Sequence, residues 1–195
     1  MYLYKTLVSF LVALSLIAGC ANAAQQPEDI RNACDGLASA TYGLKDLVLS
    51  MNSTSKSGNM KDVYNQFDTI FDQTLEEVGA MSGSAVIQQQ DSMQIVYEAF
   101  SNFVESLFEL MDALTQRAQT FVNMDQYSKY GIPSEIRALS GVVDSYFFNL
   151  IAIFPSNTSY NPQASDQKGQ VDNHFQQAID AFHAIQGNPQ LTVPL

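Results

Sequence analysis

The chain has 195 residues with 20 Asp and Glu against 9 Lys and Arg, a formal charge of −11, together with 12 Phe, 9 Tyr, two Cys and no Trp. That charge excludes nucleic acid as a partner, because phosphate neutralisation needs clustered Lys and Arg, and it opposes docking on anionic headgroups. Two cysteines cannot make a disulfide-stapled scaffold, and 46% hydrophobic residues exclude a disordered acidic tail.

Residues 1–23 have the layout of a secretory signal peptide. A single positive charge at Lys5 precedes the apolar stretch Thr6 to Gly19, and Ala21-Asn22-Ala23 supplies a small-residue cleavage site. The stretch is too short for a good membrane span. Ile17-Ala18-Gly19-Cys20 also fits a bacterial lipobox, in which Cys20 is lipidated and becomes the N-terminus. Cleavage after Ala23 removes Lys5 and leaves 8 basic and 20 acidic residues, a charge of −12, with Cys34 as the remaining cysteine.

From Pro27 onward apolar residues recur at helical intervals. The first stripe is Ile30, Cys34, Leu37, Thr41, Leu44, Val48 and Met51, after Pro27-Glu28-Asp29, which suits a first helical turn. Because Cys34 lies in that stripe, it is expected to act as a small core residue. A polar loop over residues 52–58 leads to a second stripe, Met60 to Val78, which stops near Gly79. Ser82-Gly83-Ser84 offers a turn and an N-cap for the third helix. That helix is expected from Ser84 to Phe121, with Val86, Met93, Phe100, Leu107, Leu114 and Phe121 on a seven-residue interval and a weak point at Gln88-Gln89-Gln90-Asp91. The fourth is expected to start at Ile132-Pro133 and end at Pro155. It is apolar nearly all round, as in a helix that is central in its bundle or lines a cavity. A loop from Pro155 to Ser165 leads to the fifth, which carries Val171, Phe175, Ala178, Phe182 and Ile185.

No period-two run is long enough for a strand, and no internal repeat is present. The expected fold is all-α: an antiparallel bundle of about five helices over residues 24–187, with one long central helix and a short tail at 188–195.

No catalytic constellation accompanies these helices. There is no G-x-S-x-G elbow. His174 and His183 are nine residues apart on one helix, about 180° around its axis, so they cannot share a metal or a proton. Zinc ligation lacks cysteine pairs and an H-E-x-x-H helix, and Asn123-Met124-Asp125 lacks the glycine and closing Glu of a calcium loop. Glu98, Glu105, Glu109 and Asp112 form a like-charged stripe that is stable only where water screens it. The expectation is a non-enzyme without metal or cofactor. The sequons Asn52-Ser53-Thr54 and Asn157-Thr158-Ser159 both fall in expected loops, which makes Asn52 and Asn157 glycosylation candidates. The remaining signal is aromatic excess, which turns inward as a cavity or outward as a patch.

The stretch from Met60 to Ile185 resembles the fungal hydrophobic surface-binding protein A family, also called cell-wall galactomannoproteins. The resemblance rests on Leu114-Thr115-Gln116-Arg117-Ala118-Gln119-Thr120-Phe121, on Leu139 and Val142-Val143, and on the closing run Val171 to Phe182. It implies a secreted or wall-associated helical domain without catalysis. Relatives of this kind adsorb to hydrophobic surfaces and help recruit polyester-degrading enzymes, or hold a long-chain fatty acid. The chain departs from anchored members in lacking a Ser/Thr-rich stalk and an apolar C-terminal tail. The expected apolar contacts are Phe100, Phe103, Leu107, Phe147, Leu150, Ile151, Phe175 and Phe182. The expected partner is a hydrophobic surface or long-chain lipid, with a secreted polyester-degrading enzyme as a further partner. The alternatives are a structural wall glycoprotein without ligand, a lipidated bacterial envelope protein, and an esterase whose hydrolysis would depend on His183 or His174.

Overall fold

A computed structural model describes residues 25–52 and 57–185. The expected leader, the lipobox and the tail at 188–195 lie outside the described residues. Among the described residues are five helices and no strand: α1 (Pro27–Ser50), α2 (Ser57–Met81), α3 (Gln90–Met124), α4 (Ser128–Ala152) and α5 (Tyr160–Ala184).

The first helix follows its sequence pattern throughout. Pro27 opens it, the Asp29 carboxylate accepts the Gln26 N–H at 3.2 Å, and Ile30, Cys34, Leu37, Thr41, Leu44, Val48 and Met51 are all buried. Thr41 is tolerated in this stripe because its hydroxyl donates to Leu37 O at 2.7 Å. Thr74 and Ser106 are buried and satisfied in the same way, by Ile70 O and Phe103 O.

Three helix starts differ from expectation. Ser84 does not cap α3; residues 82–89 form a connection, and the helix begins at Gln90. Gly83 turns the chain with φ +82, and Ile87 is buried and donates its N–H to Ile153 O at 2.9 Å. Val86, which continues the seven-residue interval on paper, is 44% exposed. The Gln88-Gln89-Gln90-Asp91 stretch has no apolar face to bury, so within the helix core contact begins at Met93. With 35 residues, α3 is ~52 Å long at ~1.5 Å per residue.

Helix α4 starts at Ser128, four residues before the expected Ile132, with Pro133 inside it. Turn bonds from Ser128 N to Asp125 O and from Lys129 N to Gln126 O lead into it, and proline is least disruptive in the opening turns. Helix α5 starts at Tyr160, not after Ser165. The Asn161 amide donates to Ile151 O and Phe154 O, each at 3.1 Å. It thereby gives a side-chain donor to carbonyls where α4 ends, Ile151 O also accepting the Phe154 N–H at 3.1 Å.

Consecutive helices run antiparallel, as expected, yet much of the packing joins helices that run the same way. Along α1 and α3 the contacts rise together, Lys45 to Glu109 and then Leu49 to Arg117. The same holds for α3 and α5 (Ser101 with Gln167, Asp112 with His174) and for α2 and α4 (Tyr64 with Gly131, Val78 with Asn149). The principal contacts close a ring in the order α1, α3, α5, α4, α2 and back to α1. Helix α3 has the most extensive contacts, with α1 and α5 on its flanks and α4 across the ring. No described helix is long and apolar enough to cross a membrane.

Candidate functional site

The core is one cluster running through all five helices. Seven of the eight apolar residues singled out from sequence lie in it: Phe100, Phe103, Leu107, Phe147, Leu150, Phe175 and Phe182, each 2% exposed or less. Ile151 is half-buried and packs on the outside of the cluster. Phe148 is 73% exposed, so α4 is not buried all round, and its apolar excess points partly outward.

The aromatic side chains form a column. At one end Tyr97, Phe154 and Tyr160 meet with ring centroids 5.2 to 6.1 Å apart. Tyr97 continues to Phe100 at 6.3 Å, Phe100 to Phe147 at 4.9 Å and Phe147 to Phe103 at 5.7 Å, the last two pairs edge-to-face. Phe103 then meets Tyr146 at 6.3 Å. Edge-to-face rings each add about 0.5–1.5 kcal/mol beyond area burial. Phe121 and Phe182 make a separate pair at 6.2 Å.

The column ends on a polar pair missed in the sequence. Tyr146 is fully buried, and its hydroxyl lies 3.3 Å from Cys34 Sγ. Burial pushes the Cys34 thiol up to about 12; the bond to Tyr146 lowers it in part, and Asp35 and Glu77 raise it further. Tyr146 is also held well above its ordinary value, by burial first and then by Cys34 and Glu77. Both groups are therefore neutral at physiological pH, and the thiol is not an activated nucleophile. The available signal was a tyrosine at a core position of α4, because a buried phenol needs a partner.

Outside this pair, a cleft of about 470 Å³ opens between α1 and α2, lined by Asp29, Ala33, Leu37, Gln73, Glu76 and Glu77 among others. Ala33 and Leu37 stand one residue before and three after Cys34 on α1, and Cys34 itself is fully buried and does not line the cleft. Gln25 donates to Glu77 Oε2 at 3.0 Å, while its Oε1 is buried and finds no hydrogen bond among the described residues. Among the described residues the α1–α2 seam is the least extensive of the five seams in the ring.

The two histidines face different neighbours. His174 stacks on Phe108 at 4.3 Å and contacts Asp112 at 3.2 Å, on the α3 side. His183 lies 3.4 Å from Arg137 on α4. Lys129 donates to Ile185 O at 2.6 Å. In the acidic stripe, Glu98, Glu105 and Asp112 are exposed, and Glu109 accepts from Lys45 at 2.8 Å. Asn52 and Asn157 are both exposed and lie outside the helices.

Neither a known protein-family profile nor a curated protein sequence matches this chain. Solved structures do. Afmp4p, solved in complex with palmitic acid, superposes with a TM-score of 0.73 at 11% identity, over 80% of this chain and 99% of its own. Ligand-binding domain 1 of Penicillium marneffei MP1 protein, complexed with arachidonic acids, gives 0.70 at 12% identity over the same shares. Domain 2 of that protein, complexed with multiple arachidonic acids, gives 0.70 at 8% identity, over 84% of this chain and 99% of its own. The chain shares their fold. Identities this low establish the architecture and leave side-chain roles to be argued from this chain's own residues.

Proposed function

We propose that the protein is a secreted, non-enzymatic binder of long-chain lipids that also adsorbs to hydrophobic surfaces, and that it belongs with the fungal hydrophobic surface-binding proteins. The observation that carries this reading is the bundle shared with Afmp4p and both MP1 domains, each solved with a fatty acid. In this chain the bundle surrounds a column of apolar side chains, Phe100, Phe103, Leu107, Phe147 and Leu150. A lipid tail entering that column gains about 0.8 kcal/mol per methylene removed from water. Phe175 and Phe182 of α5 extend the contact surface, and Ile151 and exposed Phe148 give the outside of α4 an apolar edge. A charge of −12 after leader cleavage keeps the protein dispersed until it meets an uncharged surface. Glycans at Asn52 and Asn157 and recruitment of a polyester-degrading enzyme complete the proposal.

A structural bundle without ligand is the second reading, and the edge-to-face contacts among Phe100, Phe103 and Phe147 favour it, since they fill the column with protein. Native mass spectrometry separates the two. The delipidated protein, mixed with sixteen-carbon lipids, is expected to retain one or more of them, and to adsorb to wax or polyester films. No retained lipid and no adsorption would overturn the binding proposal.

A further inference from the structure

We propose that the α1–α2 seam is the portal for the lipid, and that the Tyr146 hydroxyl receives a head group that is an uncharged oxygen, such as the hydroxyl of a fatty alcohol. The proposal rests on the lipid-binding reading above and assigns the polar end of the ligand.

The first observation is the position of Tyr146. Its hydroxyl is the polar terminus of the aromatic column, fully buried, with the Cys34 thiol 3.3 Å away. Sulfur is a weak acceptor, so the pair leaves most of the phenol's hydrogen-bonding capacity unused inside an apolar core. A ligand oxygen replaces sulfur with a stronger acceptor, and the lipid tail then follows Phe103, Phe147 and Phe100 toward Phe154. The hydroxyl thus fixes both the position and the direction of the ligand.

The second observation is the way in. The cleft is lined on α1 by Ala33 and Leu37, which stand on either side of Cys34 in the chain, and it lies at the least extensive seam of the ring. Parting α1 from α2 there disturbs fewer contacts than parting α1 from α3. Glu77 links mouth and interior: it lines the cleft, and its charge acts on both Cys34 and Tyr146.

The third observation sets the charge. Asp29, Glu76 and Glu77 line the mouth, and the charged groups acting on the buried pair are Asp35 and Glu77, all acidic. A carboxylate would pass one negative field and end in another, without a counter-ion and out of water, which is costly. A hydroxyl or an ester carbonyl accepts the phenol's hydrogen bond without that cost.

The test compares hexadecanol, methyl hexadecanoate and hexadecanoate on the delipidated protein at neutral pH, by displacement titration and native mass spectrometry. The alcohol and ester are expected to bind about tenfold or more tighter than the carboxylate, the difference made by one unpaired polar group. Tyr146→Phe keeps the ring and is expected to lower alcohol affinity about 5–10-fold while leaving hexadecanoate within twofold. Cys34→Ala removes the competing partner of the phenol and is expected to raise alcohol affinity, a change in the opposite direction that does not depend on how well Tyr146→Phe folds. Glu77→Gln is expected to improve hexadecanoate more than hexadecanol. Equal binding of all three lipids, or wild-type alcohol affinity in Tyr146→Phe, overturns this inference and leaves lipid binding standing. Failure to bind any of the three overturns both.

Discussion

Two seams of the same bundle are built on opposite principles. Where α3 faces α4, Phe100 and Phe103 meet Phe147 edge-to-face, and these three rings carry no polar atom. Where α1 faces α2, the surface carries Asp29, Glu76, Glu77 and a buried Gln25 Oε1 without a hydrogen bond among the described residues, and Cys34 of α1 meets the Tyr146 phenol in the core. In the first seam the three rings have no polar requirement to meet, so their contacts serve stability whether or not a ligand is present. The second holds polar groups with poor partners, and such groups discriminate between ligands because a wrong ligand leaves them unsatisfied. A bundle can therefore draw affinity from one seam and selectivity from the other.

The largest effect should come from the dry seam. Phe147→Ala removes a ring in contact with Phe100, Phe103 and Tyr146, and urea unfolding should show a loss of about 3–5 kcal/mol. A loss under about 1 kcal/mol would show that this region collapses readily and would erase the contrast. Next is the close approach of α2 to α4 at Gly131, where a Cβ would overlap the Tyr64 phenol. Gly131→Ala should cost about 1–3 kcal/mol in the same measurement. Most of that cost should be recovered in the double variant with Tyr64→Phe, which removes the overlapping oxygen. Equal costs in both backgrounds would place the strain elsewhere.

The polar seam is better probed by pH. The Cys34 thiol is held up at about 12 in the folded protein against an ordinary 9.0. The unfolded chain therefore ionises first, and the stability contributed by the neutral thiol is complete below pH 9 and is lost as pH rises toward 12. The loss amounts to at most about 1.4 kcal/mol per pH unit. Tyr146, also shifted upward, acts with the same sign at higher pH. Unfolding free energies of the wild type and Cys34→Ala should diverge above pH 9, the wild type falling more steeply; parallel curves would mean the thiol is accessible to water. Peptide-mapped thiol labelling at neutral pH should likewise modify Cys34 only on unfolding. The smallest effect is expected at the surface. Lys168 pairs with Asp144 at 2.5 Å and with Asp172 at 3.0 Å, yet Lys168→Ala should cost no more than about 1 kcal/mol, and less in high salt.

Helix identity was legible because it is a local property. A 3.6-residue period places Ile30, Cys34, Leu37, Thr41, Leu44, Val48 and Met51 on one face whatever that face meets, and all seven are buried. Helix ends were less legible because neighbours set them. Asn161, in the first turn of α5, reaches Ile151 O and Phe154 O at and just beyond the end of α4, and Ile87 ties the residues before α3 to Ile153. The outward turn of Phe148 was missed for a related reason: apolar residues all round a helix do not say which side will have a neighbour.

By itself, then, the sequence determined an all-α chain with five amphipathic stripes, a seven-residue seam along the long helix and an acidic exterior. Each of these follows from residues within a few positions of one another. Tertiary structure alone decided that α1, α3 and α5 run side by side, that Cys34 meets Tyr146 across 112 positions of chain, and that a polar cleft opens where α1 and α2 hold each other least. Those outcomes depend on which stripes share a core, and many pairings of five apolar stripes bury similar area. The choice among them rests on particular close contacts, such as Gly131 against Tyr64, that no periodicity encodes.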